Sequence, residues 1–465
     1  MTGHEIERLP IERLAPRIRK QELTASELVE RMLARIDAHD SRVQAFVHVS
    51  EHARESARKL DDEIRQGRYR GPLHGIPLGI KDNYLTEGMP TTAGTKVPGM
   101  SFPRRDATVV RRLREAGAVL IGKTNMHEFA WGNVTPPTKN PWDFDRVPGG
   151  SSGGSGAAVA ASLCTAAMGS DTGGSVRIPA SLCGTVGVKP TYGSVSKNGI
   201  VTHSWSLDHP GPLTKTVSDA AMLLNVLTGY DPDDPSSREI TVPDFRRSLA
   251  EPIGDLRIGV CRNHFFGEND SEVESAVENA IEELAGLASG LVEFEIPNLQ
   301  YGLGAIFTIE LASSSCYHDR SIKADLQRGF QPDVRNLVEA GKFISATDYL
   351  KAEQFRRILM RDFADVFDSV DVIVGPTTPI TAWELDQSSV RIGDSDESVL
   401  AVSWRLTYPF NLVGLPAVSL PCGFDSRGLP IGLQIAGRPF SEEVILRVAH
   451  AYESRHEWTD RAPGI

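Results

Sequence analysis

The run Gly149-Gly150-Ser151-Ser152-Gly153-Gly154-Ser155 is followed, after a stretch of small residues, by Gly169-Ser170-Asp171-Thr172-Gly173-Gly174-Ser175. Three times a serine directly follows paired glycines, at Ser151, Ser155 and Ser175. Glycines let a backbone turn sharply, approach a ligand closely and present its N–H groups, so a hydroxyl placed there can act as a nucleophile beside an oxyanion site. A Gly/Ser run on its own reads as a flexible linker. The stretch from Ala157 to Met168 is small and apolar, which predicts a tightly packed buried helix and argues against a linker. Upstream, Gly75-Ile76-Pro77-Leu78-Gly79-Ile80-Lys81-Asp82-Asn83 is an apolar, strand-like run that ends in a lysine. Burial among Ile76, Leu78 and Ile80 would penalise the charged form of the Lys81 amine and make it a base. In an extended segment neighbouring side chains point to opposite faces, so Asp82 is not expected against that amine.

Working outward, short apolar runs at Val119-Leu120-Ile121, Ile258-Gly259-Val260 and Val372-Ile373-Val374 read as buried strands between helices. Such alternation predicts an α/β fold with helices on both sides of a central sheet. The first seventy residues read as helices. Thr24 and Glu27 form a capping box, and Leu28, Val29, Met32, Leu33 and Ile36 mark one apolar face. With 465 residues, 40% of them hydrophobic, the chain can build a sizeable core. No repeat or low-complexity linker demands a second domain. The expectation is one large domain, with 1–70 a helical segment packed on an α/β part at 71–465.

Three short patterns point to other chemistry. Gly117-Ala118-Val119-Leu120-Ile121-Gly122-Lys123-Thr124 has the spacing of a phosphate-binding loop. Its intervening residues are an apolar strand preceded by a helix, where that loop needs the reverse. Gly150-Ser151-Ser152-Gly153-Gly154 has the spacing of a nucleophile elbow, which would make Ser152 the nucleophile of an esterase. An elbow follows a buried strand, whereas Asn140 to Pro148 is a polar loop with two prolines. Ser194-Val195-Ser196-Lys197 imitates a penicillin-recognising motif without its partner motifs, and reads as a turn.

The two glycine-serine runs and the Lys81 segment resemble the amidase signature family, serine hydrolases of amide bonds. The resemblance extends to Gly122-Lys123-Thr124-Asn125-Met126, Asn140-Pro141-Trp142, Arg177-Ile178-Pro179-Ala180, Cys183-Gly184, Gly187 to Gly193, Pro409 to Ala417 and Gly432-Leu433-Gln434-Ile435. It is dense from Gly71 to Asp219 and patchy from there to Gly437. It implies a single α/β domain with a mixed sheet of many strands. It also implies Ser175 as nucleophile, Ser151 as bridging serine on a cis Gly150-Ser151 peptide, and Lys81 as base. The N–H groups of Thr172, Gly173, Gly174 and Ser175 would form the oxyanion hole. Met126, Gly149 and Trp404 are implied as substrate contacts, and neither cofactor nor metal is implied.

The segment at about 298–404 diverges and should set the substrate. One class in the family, the glutaminase component of the tRNA-dependent amidotransferases, releases ammonia from glutamine and grips that zwitterion with a basic and an acidic residue. Matching puts Asn336 or Leu337 at the basic position and Trp404 at the acidic one, with Arg335 close by. An aromatic group in place of an acid favours a small neutral aryl- or alkyl-substituted amide, cleaved by a stand-alone hydrolase. The alternatives are a carbamate or urethane hydrolase using the same triad, and the glutamine-hydrolysing amidotransferase component.

A net charge of −12 without basic runs argues against nucleic-acid or anionic-membrane partners. The partner expected is a small-molecule amide or carbamate, with a homodimer left open. The start of the chain has no cationic-then-apolar signal, so a cytoplasmic location is expected. Five scattered cysteines read as buried reduced thiols.

Overall fold

The computed structural model describes residues 6–97, 103–393, 395–458 and 461–465. Eleven strands form one mixed sheet in the spatial order Phe46–Val49, Val119–Thr124, Pro77–Lys81, Ala166–Asp171, His209–Thr214, Val186–Lys189, Ala417–Phe424, Pro430–Gly437, Val372–Pro376, Arg257–Cys261 and Gly290–Phe294. Pro77–Lys81 runs parallel to both its neighbours, and Arg257–Cys261 does likewise; the strands between Ala166–Asp171 and Val372–Pro376 pair antiparallel. All three runs read as buried strands lie in this sheet, which is the α/β architecture expected.

The amino-terminal helices form as their apolar spacing requires. Thr24 Oγ1 accepts the Glu27 N–H at 3.0 Å and caps the helix Ala25–Val43. Leu28, Val29, Met32, Leu33 and Ile36 pack in one cluster with Leu78, Ile80, Val119 and Ile121 of the sheet. One element in this segment departs from the helical expectation. Phe46–Val49 is a strand that pairs antiparallel with Val119–Thr124 and extends the sheet by an edge.

The Ala157 to Met168 stretch also divides differently from the expectation. A helix spans Gly153–Ala160, the chain turns with Ser162 at a φ of 55°, and Ala166–Asp171 is a strand. Both pieces are enclosed on all sides, so neither has a polar face from which a period could be read. Cys164, Cys183, Cys261 and Cys422 are buried, but Cys316 is exposed.

Candidate active site

Lys81 ends the strand Pro77–Lys81, all five residues of which are buried between strands on either side. Its Nζ lies 2.8 Å from Ser151 Oγ, 2.9 Å from Ser170 Oγ and 3.3 Å from the Ser170 carbonyl oxygen. Asn83 Nδ2 donates to the same Ser170 hydroxyl at 3.0 Å. Burial pushes the Lys81 amine down to about 7, against the opposing pull of the Asp171 and Asp208 charges. A neutral amine has one lone pair and two hydrogens. It can accept from the Ser151 hydroxyl while donating to the two Ser170 oxygens, which accounts for all three contacts. Asp82 is elsewhere, 3.2 Å from Lys123 Nζ, as strand alternation requires. Lys123 also donates to the Tyr84 carbonyl and to Thr91 Oγ1, so its charge is tied up inside the protein where a phosphate loop would present it.

Ser151 is fully buried and follows a cis peptide bond from Gly150. A Cβ on Gly150 would stand 2.5 Å from the Val134 carbonyl oxygen, so only glycine fits there. The next hydroxyl, Ser152, is also fully buried and bonds to the Ser170 carbonyl at 3.2 Å. Ser152 N–H donates to the Ser175 carbonyl at 3.2 Å, which draws the two glycine-serine runs together.

Ser175 follows the strand Ala166–Asp171 and precedes the helix Arg177–Cys183. The turn between them is held by Asp171. Its Oδ1 accepts from the Gly174 N–H at 2.8 Å and from Arg177 Nη2 at 3.0 Å, and its Oδ2 accepts from the Val176 N–H and from Arg177 Nε, both at 3.1 Å. Arg177 in turn donates to Gln434 Oε1 and Asn411 Oδ1, each at 2.6 Å. Burial alone would raise the Asp171 carboxyl, but the Arg177 charge and hydrogen bonds outweigh it and hold the group well below the usual carboxylate range. Thr172 Oγ1 donates to Asp208 at 2.8 Å, and Thr407 Oγ1 donates to the Gly173 carbonyl at 2.6 Å, which fixes the loop at both ends. One assignment for the oxyanion hole needs correction. The Gly174 N–H, expected to face the oxyanion, donates to Asp171 Oδ1.

Because Asp171 and Arg177 are both fully buried, removing one strands the other. Asp171→Ala is expected to destabilise the protein by roughly 3–5 kcal/mol. Urea unfolding would measure it, and a loss below about 1 kcal/mol would contradict this account of the turn.

Ser175 opens onto a cavity of about 90 Å³. Trp131, Phe307 and Trp404 form much of its wall, with Ile178, Leu337 and Leu400. Gly173 lies against the Trp404 ring, where a Cβ would come within 2.7 Å of it. Trp404 therefore lines this cavity. Met126 and Gly149 do not. Met126 is buried at a separate groove with Thr92, Asn125 and Gln331, because the chain turns away after the strand Val119–Thr124. Gly149 turns the backbone with a φ of 84°, and it is Gly150 that lines the cavity. The divergent segment supplies Phe307, Glu310, Asp333, Leu337, Leu400 and Trp404. Glu310 and His203 are additions to the residues expected from the sequence.

The amidase family model matches residues 27–446. The chain belongs to the amidase signature family. An amidase of Pseudomonas putida is 42% identical over 461 residues, covering 98% of each chain. The A chain of the glutamyl-tRNA(Gln) amidotransferase of Moorella thermoacetica is 41% identical over 493 residues, covering 100% of this chain and 98% of that one. Among solved structures, a bacterial aryl acylamidase of the amidase signature family superimposes with a TM-score of 0.89 at 25% identity, covering 97% of each chain. Amidase signature enzymes act on C–N bonds, and this chain is an amidase-type hydrolase.

Proposed function

We propose that this amidase signature hydrolase works alone on a small aryl- or alkyl-substituted amide that is neutral at the scissile bond. Lys81 takes a proton from Ser151 as Ser151 takes one from Ser175, and Ser175 Oγ bonds to the carbonyl carbon. Loop N–H groups hold the resulting oxyanion. The proton returns through Ser151 to the leaving nitrogen, the C–N bond breaks, and the amine departs from an acyl-enzyme. Water enters by the same relay, releases the acid and restores Ser175. A carbamate would follow the same steps.

The observation that carries the substrate reading is the cavity wall. Among the described residues lining it there are three large aromatic side chains and neither lysine nor arginine. A glutamine α-carboxylate would meet no cation there, although Glu310 and Asp333 would suit its α-ammonium. Leu337, at one of the positions matched to the family's basic residue, is part of that wall, and Arg335 is outside it. The second reading, the glutamine-hydrolysing component of an amidotransferase, is favoured by the full-length relatives that carry that name, at 40–42% identity. A turnover panel of aryl amides, fatty amides, carbamates and glutamine with the isolated chain separates them. Aryl amides should be cleaved at least about tenfold more efficiently than glutamine, the difference that one unpaired charge imposes. Ammonia release from glutamine alone would make the second reading correct.

A further inference from the structure

Glu310 is the lone acid in the apolar helix Gly302–Tyr317, and it lines the cavity beside Ser175 while only 1% exposed. Its Oε2 is buried without a hydrogen-bond partner among the described residues. His203 Nε2 is 3.8 Å from the other oxygen, Oε1, an ion-pair contact when the imidazole is protonated. The other ring nitrogen of His203 is engaged by the Phe129 carbonyl at 3.1 Å. Oε1 stands 3.6 Å from where a Cβ on Gly173 would lie, so the carboxyl overlooks the loop that receives the scissile carbonyl. Buried polar groups are nearly always paired, and an ionised carboxylate can only accept. Oε2 lacks a donor among the described residues, and the cavity is where one can arrive.

We propose that Glu310 is a specificity-determining residue that accepts a hydrogen bond from an N–H group carried by the substrate beside the scissile amide. Preferred substrates are then aryl or alkyl amides bearing an additional amine or amide N–H. The inference rests on the amide-hydrolase reading of this site and narrows its substrate class. Burial pushes the Glu310 carboxyl upward against the opposing pull of His203, and a donor placed against Oε2 would oppose it further.

The test is binding rather than turnover, so that its failure stands apart from failure of the hydrolase reading, which the substrate panel decides. Benzylamine offers an ammonium, N-benzylformamide a neutral N–H, and benzyl methyl ether none. Their affinities for the full chain in its Ser175→Ala form can be followed by calorimetry, with intrinsic tryptophan fluorescence as a second readout. The two N–H ligands should bind about tenfold more tightly than the ether. Glu310→Leu should abolish that preference, and Glu310→Gln should remove the advantage of the amine while keeping that of the formamide. Equal affinity for all three ligands, which needs no Glu310 variant to fold, would overturn the proposal. So would a preference that persists in Glu310→Leu.

Discussion

Ser175→Ala should lower turnover of an aryl amide by roughly a million-fold, the scale seen when the nucleophile of a serine hydrolase is removed. The expectation follows from access. Ser151 and Ser152 are fully buried, whereas Ser175 is 9% exposed and lines the aromatic cavity. A sulfonyl or phosphonyl reagent should accordingly modify Ser175 in the wild type and fail to label the alanine variant. Peptide mapping reads the site directly. A label on Ser152 would restore the elbow reading, even though its hydroxyl bonds to the Ser170 carbonyl at 3.2 Å. The variant should keep its stability, since the hydroxyl is not part of the Asp171 and Arg177 network that holds the turn.

The sheet was legible where a strand sat between helices of unmistakable period. Val119 to Ile121 is four residues downstream of the amphipathic helix Thr108–Glu115, so the change of period marks the boundary. It was illegible at Phe46–Val49, because that strand is four residues long, lies at the sheet edge and is only half-buried. Its pairing is with Val119–Thr124, more than seventy positions away, so no local pattern announces it. The Ala157 to Met168 stretch failed for the opposite reason: enclosure on every side erased any period, and the small residues suit helix and strand alike.

The same division runs through the site. Lys81, Ser151 and Ser175 could be picked out only together, because the resemblance assigns a role to each run, whereas alone they read as a strand-end lysine and two turn serines. Ser170 could not, although it lies in the second glycine-serine run, because its contact with Lys81 spans 89 positions and depends on two parallel strands being neighbours. Arg177 and Asn411 were visible as parts of motifs without a role, since only the fold brings both to Asp171. For Glu310 a signal existed, a single acid within Gly302–Tyr317, yet a helix period alone cannot distinguish a solvent-facing acid from one turned into a cavity.

Lys81→Ala should cost about 10²- to 10⁴-fold in kcat/KM, the contribution of a positioned base. Loss of rate by itself would also follow from collapse of the site, so the pH dependence carries the argument. A base acts in its neutral form, and the Lys81 amine is brought to about 7 by burial. Wild-type kcat/KM should therefore rise with pH through about 7 and level off above it, while the residual activity of the variant lacks that limb. Stability must move with the same group. In the unfolded chain the amine keeps its ordinary value near 10.5, so between pH 7 and 10.5 the unfolded state binds more protons than the folded one. The penalty for burying Lys81 is thus complete below pH 7 and fades as the pH approaches 10.5. Measured against Lys81→Met, the wild type should gain relative stability across that window in urea titrations. A constant difference between pH 7 and 10 would mean the amine stays protonated in the fold, and a protonated Lys81 could not draw the proton from Ser151.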